Sequence, residues 1–193
     1  MIKNNFPIVC IGGSAGGSEA YVKILKHLPV DIGVAIVIVN HIARQPAALH
    51  NILSRYTTMP VKLITSSLRI EPDHVFIIPS NCDLHVLDGE FILKSKSKPR
   101  GWPNVITVFL RSLVHHWSGA IIAVIVSGLD ADGADALKEV KEVGGITIVH
   151  TPEAAEWSDM PESAIKTGYV DYVLPIEAIA QKISQIAIEY ADK

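Results

Sequence analysis

Six short apolar runs punctuate the chain, at residues 8–11, 34–40, 74–79, 120–126, 145–149 and 169–175. They are rich in valine and isoleucine and do not alternate with polar residues, which is how strands read when both faces of a parallel sheet are covered. Between them the apolar spacing lengthens to that of helices. Residues 18–27 carry Ala20, Ile24 and Leu25 at that spacing, and 47–56 follow Pro46. Residues 105–117 carry Val105, Val108, Phe109, Leu113 and Val114, and 133–143 carry Leu137 and Val140 before Gly144 and Gly145 end the pattern. Residues 176–190 show an amphipathic stripe of Ile176, Ile179, Ile183, Ile186 and Tyr190. The alternation predicts a doubly wound α/β fold with a mostly parallel sheet, a three-layer sandwich of the Rossmann-like kind. One stretch departs from it. Residues 83–94 place Asp88-Gly89 between two strand-like runs, which predicts an antiparallel β-hairpin.

Composition narrows the function classes. A chain of 193 residues, 49% hydrophobic and 19% charged, fits one domain spanning residues 1–193 with a sizeable core. The formal charge of -3 argues against nucleic acid or an anionic membrane as partner, since both attract clustered Lys and Arg. The one basic run, residues 94–100, is broken by Ser and Pro and reads as a solvated loop. Two cysteines, Cys10 in an apolar run and Cys82, give no disulfide framework, so a reducing, cytoplasmic setting is expected. The first ten residues lack the apolar stretch of a signal peptide, and no run reaches the ~18 apolar residues of a membrane span.

The candidate chemistry begins at residues 8–20, IVCIGGSAGGSEA, where a strand-like run breaks into glycines around one serine. A Walker phosphate loop needs Lys-Ser/Thr after its last glycine, and Ser18-Glu19 stand there instead. A dinucleotide fingerprint needs a glycine where Ser14 sits and an acidic residue closing the second strand, where Asn40-His41 are found. The G-x-S-x-G nucleophile elbow is matched by Gly12 to Gly16: a sharp strand-to-helix turn holds the hydroxyl up beside backbone N–H groups. Its partners would lie at other strand ends, beyond which open α/β sheets bind ligands. His41 directly follows the second apolar run, and Asp130 and Asp132 follow the fourth. Taken alone, His41 reads first as a satisfied strand-end histidine and Asp132 as the N-cap of the next helix; their joint placement with Ser14 argues against coincidence. The order Ser, His, Asp also differs from the Ser, Asp, His of common α/β-hydrolases.

Four ordered stretches carry a resemblance: IGGSAGG (11–17), VIVNH (37–41), SGLDADGADALKEVKEVGGITIV (127–149) and MPESAIKTGYVDYVLP (160–175). With the spacing between them they cover nearly the whole chain, which resembles the catalytic domain of the CheB-type protein-glutamate methylesterases of bacterial chemotaxis. The resemblance implies a serine hydrolase that releases methanol from methylated glutamates of chemoreceptor cytoplasmic domains, and in some members deamidates glutamines. It places the nucleophile on Ser14, the general base on His41 and the orienting carboxylate on Asp132. Backbone N–H groups near Ala15, Gly16 and Leu129 would hold the oxyanion, with no metal or organic cofactor. Asp130 and Met160 would line the site.

The departures from the family pattern are specific. Ala15 stands where many members have Thr, Asp130 replaces the second glycine of G-M-G-x-D-G, and Asp159 replaces the glycine of Gly-Met-Pro. The R-P-S-[IV]-D segment is poorly kept in residues 101–107, and the receiver domain that often precedes this catalytic domain is expected to be absent, since Met1 lies close to the first strand. These departures keep two other classes open: a weakly catalytic binding or regulatory module, and a small-molecule esterase using the same three residues. His115-His116 read as a helix-end pair favoured by the dipole. His150 closes a strand, and His27, His50, His74 and His85 read as surface or loop residues. Trp157 and Met160 are placed in the loop after the fifth run, as walls of the site or as packing.

Overall fold

Parallel strands need crossover connections, and helices supply nearly all of them here. In the computed structural model, which describes residues 6–41, 46–97 and 104–192, seven parallel strands form one sheet in the order β3-β4-β2-β1-β7-β8-β9. The strands are β1 (Ile8–Gly13), β2 (Ala35–Asn40), β3 (Val61–Leu63), β4 (His74–Ile77), β7 (Ile121–Ile125), β8 (Ile146–His150) and β9 (Tyr172–Leu174). Every residue of β1, β2 and β7 is buried, which explains their unbroken apolar runs.

Helices α1 (Gly17–His27), α2 (Pro46–Leu53) and α6 (Ile176–Ala191) belong with the core on one face, where Tyr21, Ile24, Leu53 and Ile183 meet Val9, Ile36 and Val124. On the other face α3 (Val105–His116), α4 (Leu137–Glu142) and α5 (Asp159–Lys166) share a core of Cys10, Val37, Phe76, Phe109 and Leu137. The hairpin joins that second layer. Its strands β5 (Cys82–Leu87) and β6 (Glu90–Ser95) form a separate two-stranded sheet. Asp88 and Gly89 both have positive φ, 49° and 81°, as a two-residue turn of this twist requires. The hairpin is seated on α3 through Phe91 and Phe109 and through Ser112 Oγ, which accepts the Val86 N–H at 2.8 Å.

The expected α/β architecture with one antiparallel hairpin is therefore present, with differences in detail. The helix expected at 133–143 is a 3-10 turn, Ala134–Ala136, followed by the short α4. The helix expected to reach Tyr56 ends at Leu53. Met160 lies on α5 and not in a loop, because Pro161 in the first turn costs no intrahelical hydrogen bond. His27, His50, His74 and His85 sit on α1, α2, β4 and β5, and the last three are half-buried. The basic run begins on β6, and its residues 98–100 lie outside the described residues, as do 101–103. No described helix is long and apolar enough to cross a membrane.

Candidate active site

The order of strands reverses between β1 and β7, and the carboxyl ends of β2, β1 and β7 lie side by side there. Strand β1 runs straight into a tight turn. The Ser14 N–H donates to the Ser127 carbonyl at 2.9 Å, and the Gly17 N–H closes back on the Ser14 carbonyl at 3.1 Å. Gly16, at φ 74°, makes the left-handed step into α1. A Cβ there would lie 2.5 Å from Ser127 Oγ, so space and backbone both require glycine. The half-buried Ser14 is left at the tip, between strand and helix.

Register supplies the neighbour. Gly13 pairs with Asn40, and the His41 N–H donates to the Gly13 carbonyl at 3.3 Å, so Ser14 and His41 follow each other on adjacent strand ends. The third residue arrives from the connection after β7. Asp132 turns its carboxylate into the N-terminus of α3, where Oδ2 accepts the Ile106 N–H at 2.8 Å and Oδ1 accepts the Thr107 N–H at 2.9 Å. Oδ1 also accepts the Gly133 N–H at 2.8 Å. A carboxylate at this position satisfies donors that a helix start otherwise leaves open and meets the positive end of its dipole. His41 Nε2 lies 2.5 Å from Asp132 Oδ2.

A second carboxylate stands on the other side of the ring. Asp130 Oδ2 is 2.9 Å from His41 Nδ1, while its Oδ1 accepts the Asp132 N–H at 2.8 Å. The side chains of His41, Asp130 and Asp132 are only 4%, 7% and 1% exposed. Burial pushes the His41 pKa down. The adjacent carboxylates of Asp130 and Asp132, through their contacts and their charges, outweigh it, and the imidazole is raised to about 9. Burial likewise pushes the Asp132 carboxyl up, but the His41 hydrogen bond, its charge and the contacts of Thr107 hold it below the usual carboxylate range.

The wall opposite His41 comes from the β7 and β8 connections. Ser127 Oγ donates to the Ala15 carbonyl at 2.7 Å and accepts the Trp157 N–H at 2.9 Å. The Gly128 N–H donates to the Trp157 carbonyl, and the Met160 N–H to the Gly128 carbonyl, both at 3.1 Å. Met160 is fully buried, whereas Trp157 and Leu129 are each 42% exposed at the rim. A Cβ on Gly128 would stand 2.6 Å from Met160 Cε and 3.1 Å from Ser14 Cβ. Gly128→Ala is therefore expected to displace Met160 or the serine and to slow turnover by roughly tenfold to a hundredfold, since ~1 Å misplacements carry that cost. A steady-state rate equal to that of the parent chain would show that the loop absorbs the methyl group.

The structure thus brings Ser14, His41, Asp130 and Asp132 to one place, with Ala15, Gly16, Leu129 and Met160 around it. It does not bring His115 and His116 there: they lie in the last turn of α3, about 13 Å along the axis from the residues that meet Asp132. His150 lines an adjoining cavity of about 420 Å³, on the far side of Gly16 and Ser127 from His41, with Lys23, Glu156 and Glu177. Burial pushes the His150 pKa down. No His, Cys, Asp or Glu group able to hold a metal occurs among the described residues. Three contributors are not among the candidate residues read from the sequence: Thr107, the Ile106 N–H and Ser127. Ser127 had a signal, since it ends its apolar run as Ser14 and His41 end theirs. The α3 backbone donors had none.

A parallel doubly wound sheet with a serine, a histidine and an aspartate at three neighbouring strand ends defines an α/β protein with a hydrolase-like constellation. The chain belongs to the CheB methylesterase family, whose sequence model matches residues 9–183. A Leptospira interrogans protein named protein-glutamate methylesterase/protein-glutamine glutaminase is 35% identical over 179 residues, 92% of this chain and 93% of that protein. A Burkholderia pseudomallei protein of the same name, numbered 2, is 33% identical over 180 residues; these are 92% of this chain and 52% of the longer relative. Among solved structures, the CheB methylesterase catalytic domain of Thermotoga maritima matches with a TM-score of 0.86 and 30% identity, covering 95% of this chain and 99% of that one.

Proposed function

We propose that the chain acts as one catalytic domain, a serine hydrolase that removes methyl esters from glutamate side chains of a chemoreceptor-type protein. The observation that carries this reading is the Ser14, His41 and Asp132 cluster at neighbouring strand ends, in a chain whose family and relatives bear the methylesterase name. His41 takes the proton of Ser14 as Oγ attacks the ester carbonyl. The tetrahedral oxyanion is held by backbone N–H groups of Ala15, Gly16 and Leu129 at the start of α1 and the β7 connection. His41 then returns the proton to the departing methoxide, and methanol leaves a glutamyl ester on Ser14. Water, deprotonated by the same imidazole, cleaves that ester and frees the glutamate. Asp132, fixed by three backbone N–H groups, sets the ring orientation and balances its charge. The same acyl-enzyme forms from a glutamine carboxamide with ammonia leaving, and the relatives' double name supports that second substrate.

The test is methanol release from methylated receptor cytoplasmic fragments before and after treatment with a fluorophosphonate. The expected result is release that stops as mass spectrometry finds the adduct on Ser14. Adduct formation with no release from any receptor points to the small-molecule esterase, and absence of both points to a binding module.

A further inference from the structure

An imidazole has two nitrogens, and in this chain a carboxylate stands on each. Asp132 is at Nε2 and Asp130 is at Nδ1, at 2.5 and 2.9 Å. Two facing carboxylates suit a ring that carries a proton on both nitrogens, which is the imidazolium; a neutral ring would aim a lone pair at one of them. An imidazolium takes no proton from a serine. Among the described residues, no hydrogen bond joins Ser14 Oγ to His41, although register makes the two residues neighbours.

The two carboxylates are not held alike. Asp132 is fixed by the N–H groups of Ile106, Thr107 and Gly133. Among the described residues Asp130 is held by one backbone donor, the Asp132 N–H on Oδ1. Its Oδ2 lies 2.9 Å from Nδ1 as an ion pair, and that buried oxygen has no other hydrogen-bond partner among the described residues. Asp130 also lies between exposed Leu129 and exposed Ala131, on a connection that passes Ser14 at Gly128.

We propose that Asp130 is a positioning residue that gates the serine: its carboxylate occupies the imidazole nitrogen that Ser14 must reach, and turnover begins when it withdraws. The proposal rests on the assignment of Ser14 and His41 made above. The nitrogen concerned is Nδ1, because Asp132 keeps Nε2. The ionisable side chains facing the ring among the described residues are Asp130 and Asp132, both from the connection after β7. Strand β1 adds the buried Cys10, which faces Asp132 and whose thiol is pushed up and neutral. Helix α3 presents backbone N–H groups and the Thr107 hydroxyl. With both carboxylates in place the ring stays charged through neutral pH.

The experiment compares the parent chain with Asp130→Asn and Asp130→Gly by two readouts that need no receptor. One is the His41 imidazole titration followed by NMR. The other is the rate of fluorophosphonate labelling of Ser14 as a function of pH. Asparagine retains an oxygen for the Asp132 N–H, so it keeps the loop if glycine loosens it. Both midpoints are expected to fall by at least about one pH unit in the variants, and labelling near pH 7 to speed up by about tenfold for each pH unit that the midpoint falls. A His41 titration or a labelling profile that does not move in the folded Asp130→Asn chain overturns the proposal. Failure of the methylesterase reading looks different: labelling moves with the variants while no methanol is released from any receptor.

Discussion

Ser14→Ala is expected to lower methanol release by about 10⁴-fold or more and to leave thermal stability almost unchanged. The two halves have separate reasons. Removing Oγ takes away the atom that forms the acyl-enzyme, and neither His41 nor the oxyanion donors replace it. What remains is the background of a site that binds and polarises an ester without attacking it. Stability, by contrast, depends on what the hydroxyl touches when the site is at rest. The turn is fixed by backbone, through Ser14 N–H to Ser127 and Gly17 N–H to Ser14, and alanine keeps both bonds. Ser14 is half-buried, and its Oγ has no hydrogen-bond partner among the described residues, so the cost is within about 0.5 kcal/mol. Methanol release and a melting curve on the same preparation check it. A variant that retains a tenth of the rate would remove Ser14 from the mechanism.

The parts of this site visible in the sequence are those whose side chains sit at strand ends. Apolar runs locate strands, and the polar residues of the loop that follows each run mark the edge where ligands bind; Ser14, His41, Asp130 and Asp132 all stand in such loops. Strand β3 escapes the pattern because its three residues, Val61–Leu63, form an edge with one face half-exposed, too short and too mixed to stand out. Helix α5 escapes it because Pro161 reads as a breaker unless it is placed in a first turn. The Asp-Gly turn announces the hairpin but not its seat on α3, since docking depends on Phe91, Phe109 and Ser112 across long sequence separations. The partners of Asp132 are mostly backbone N–H groups, which every residue but proline carries, so no motif announces them. The contact of Asp130 with Nδ1 is a matter of side-chain rotamer, and the sequence offers only an additional carboxylate nearby.

Asp132 is where catalysis and folding share one group, and its replacement is expected to damage both. In Asp132→Asn an amide stands where two oxygens were. One oxygen still accepts, but the NH2 meets either a backbone N–H or His41 Nε2, and each of these is a donor in the parent chain. The imidazole loses its orienting anion, and turnover is expected to fall by about 10³- to 10⁴-fold, as in other triads. Asp132→Ala goes further, leaving Ile106, Thr107 and Gly133 N–H groups without their carboxylate in a site that is 7% exposed. One buried group so stranded costs about 1–3 kcal/mol; Gly133 retains Thr107 Oγ1, so about 3 kcal/mol is the expected scale for the whole. The pH dependence supplies the sharper check. The Asp132 carboxyl is lowered on folding, so its contribution is present above its unfolded pKa, near 3.8, and is lost as pH falls through the lower folded value. The His41 imidazole is raised, so its contribution is complete below 6.5 and is lost as pH climbs through about 9. The parent chain should therefore lose melting temperature on both the acid and the alkaline side, and Asp132→Asn should flatten both limbs together. An alkaline limb that survives intact in Asp132→Asn would mean that Asp130 alone holds the charge on His41, and that Asp132 serves α3 more than the imidazole.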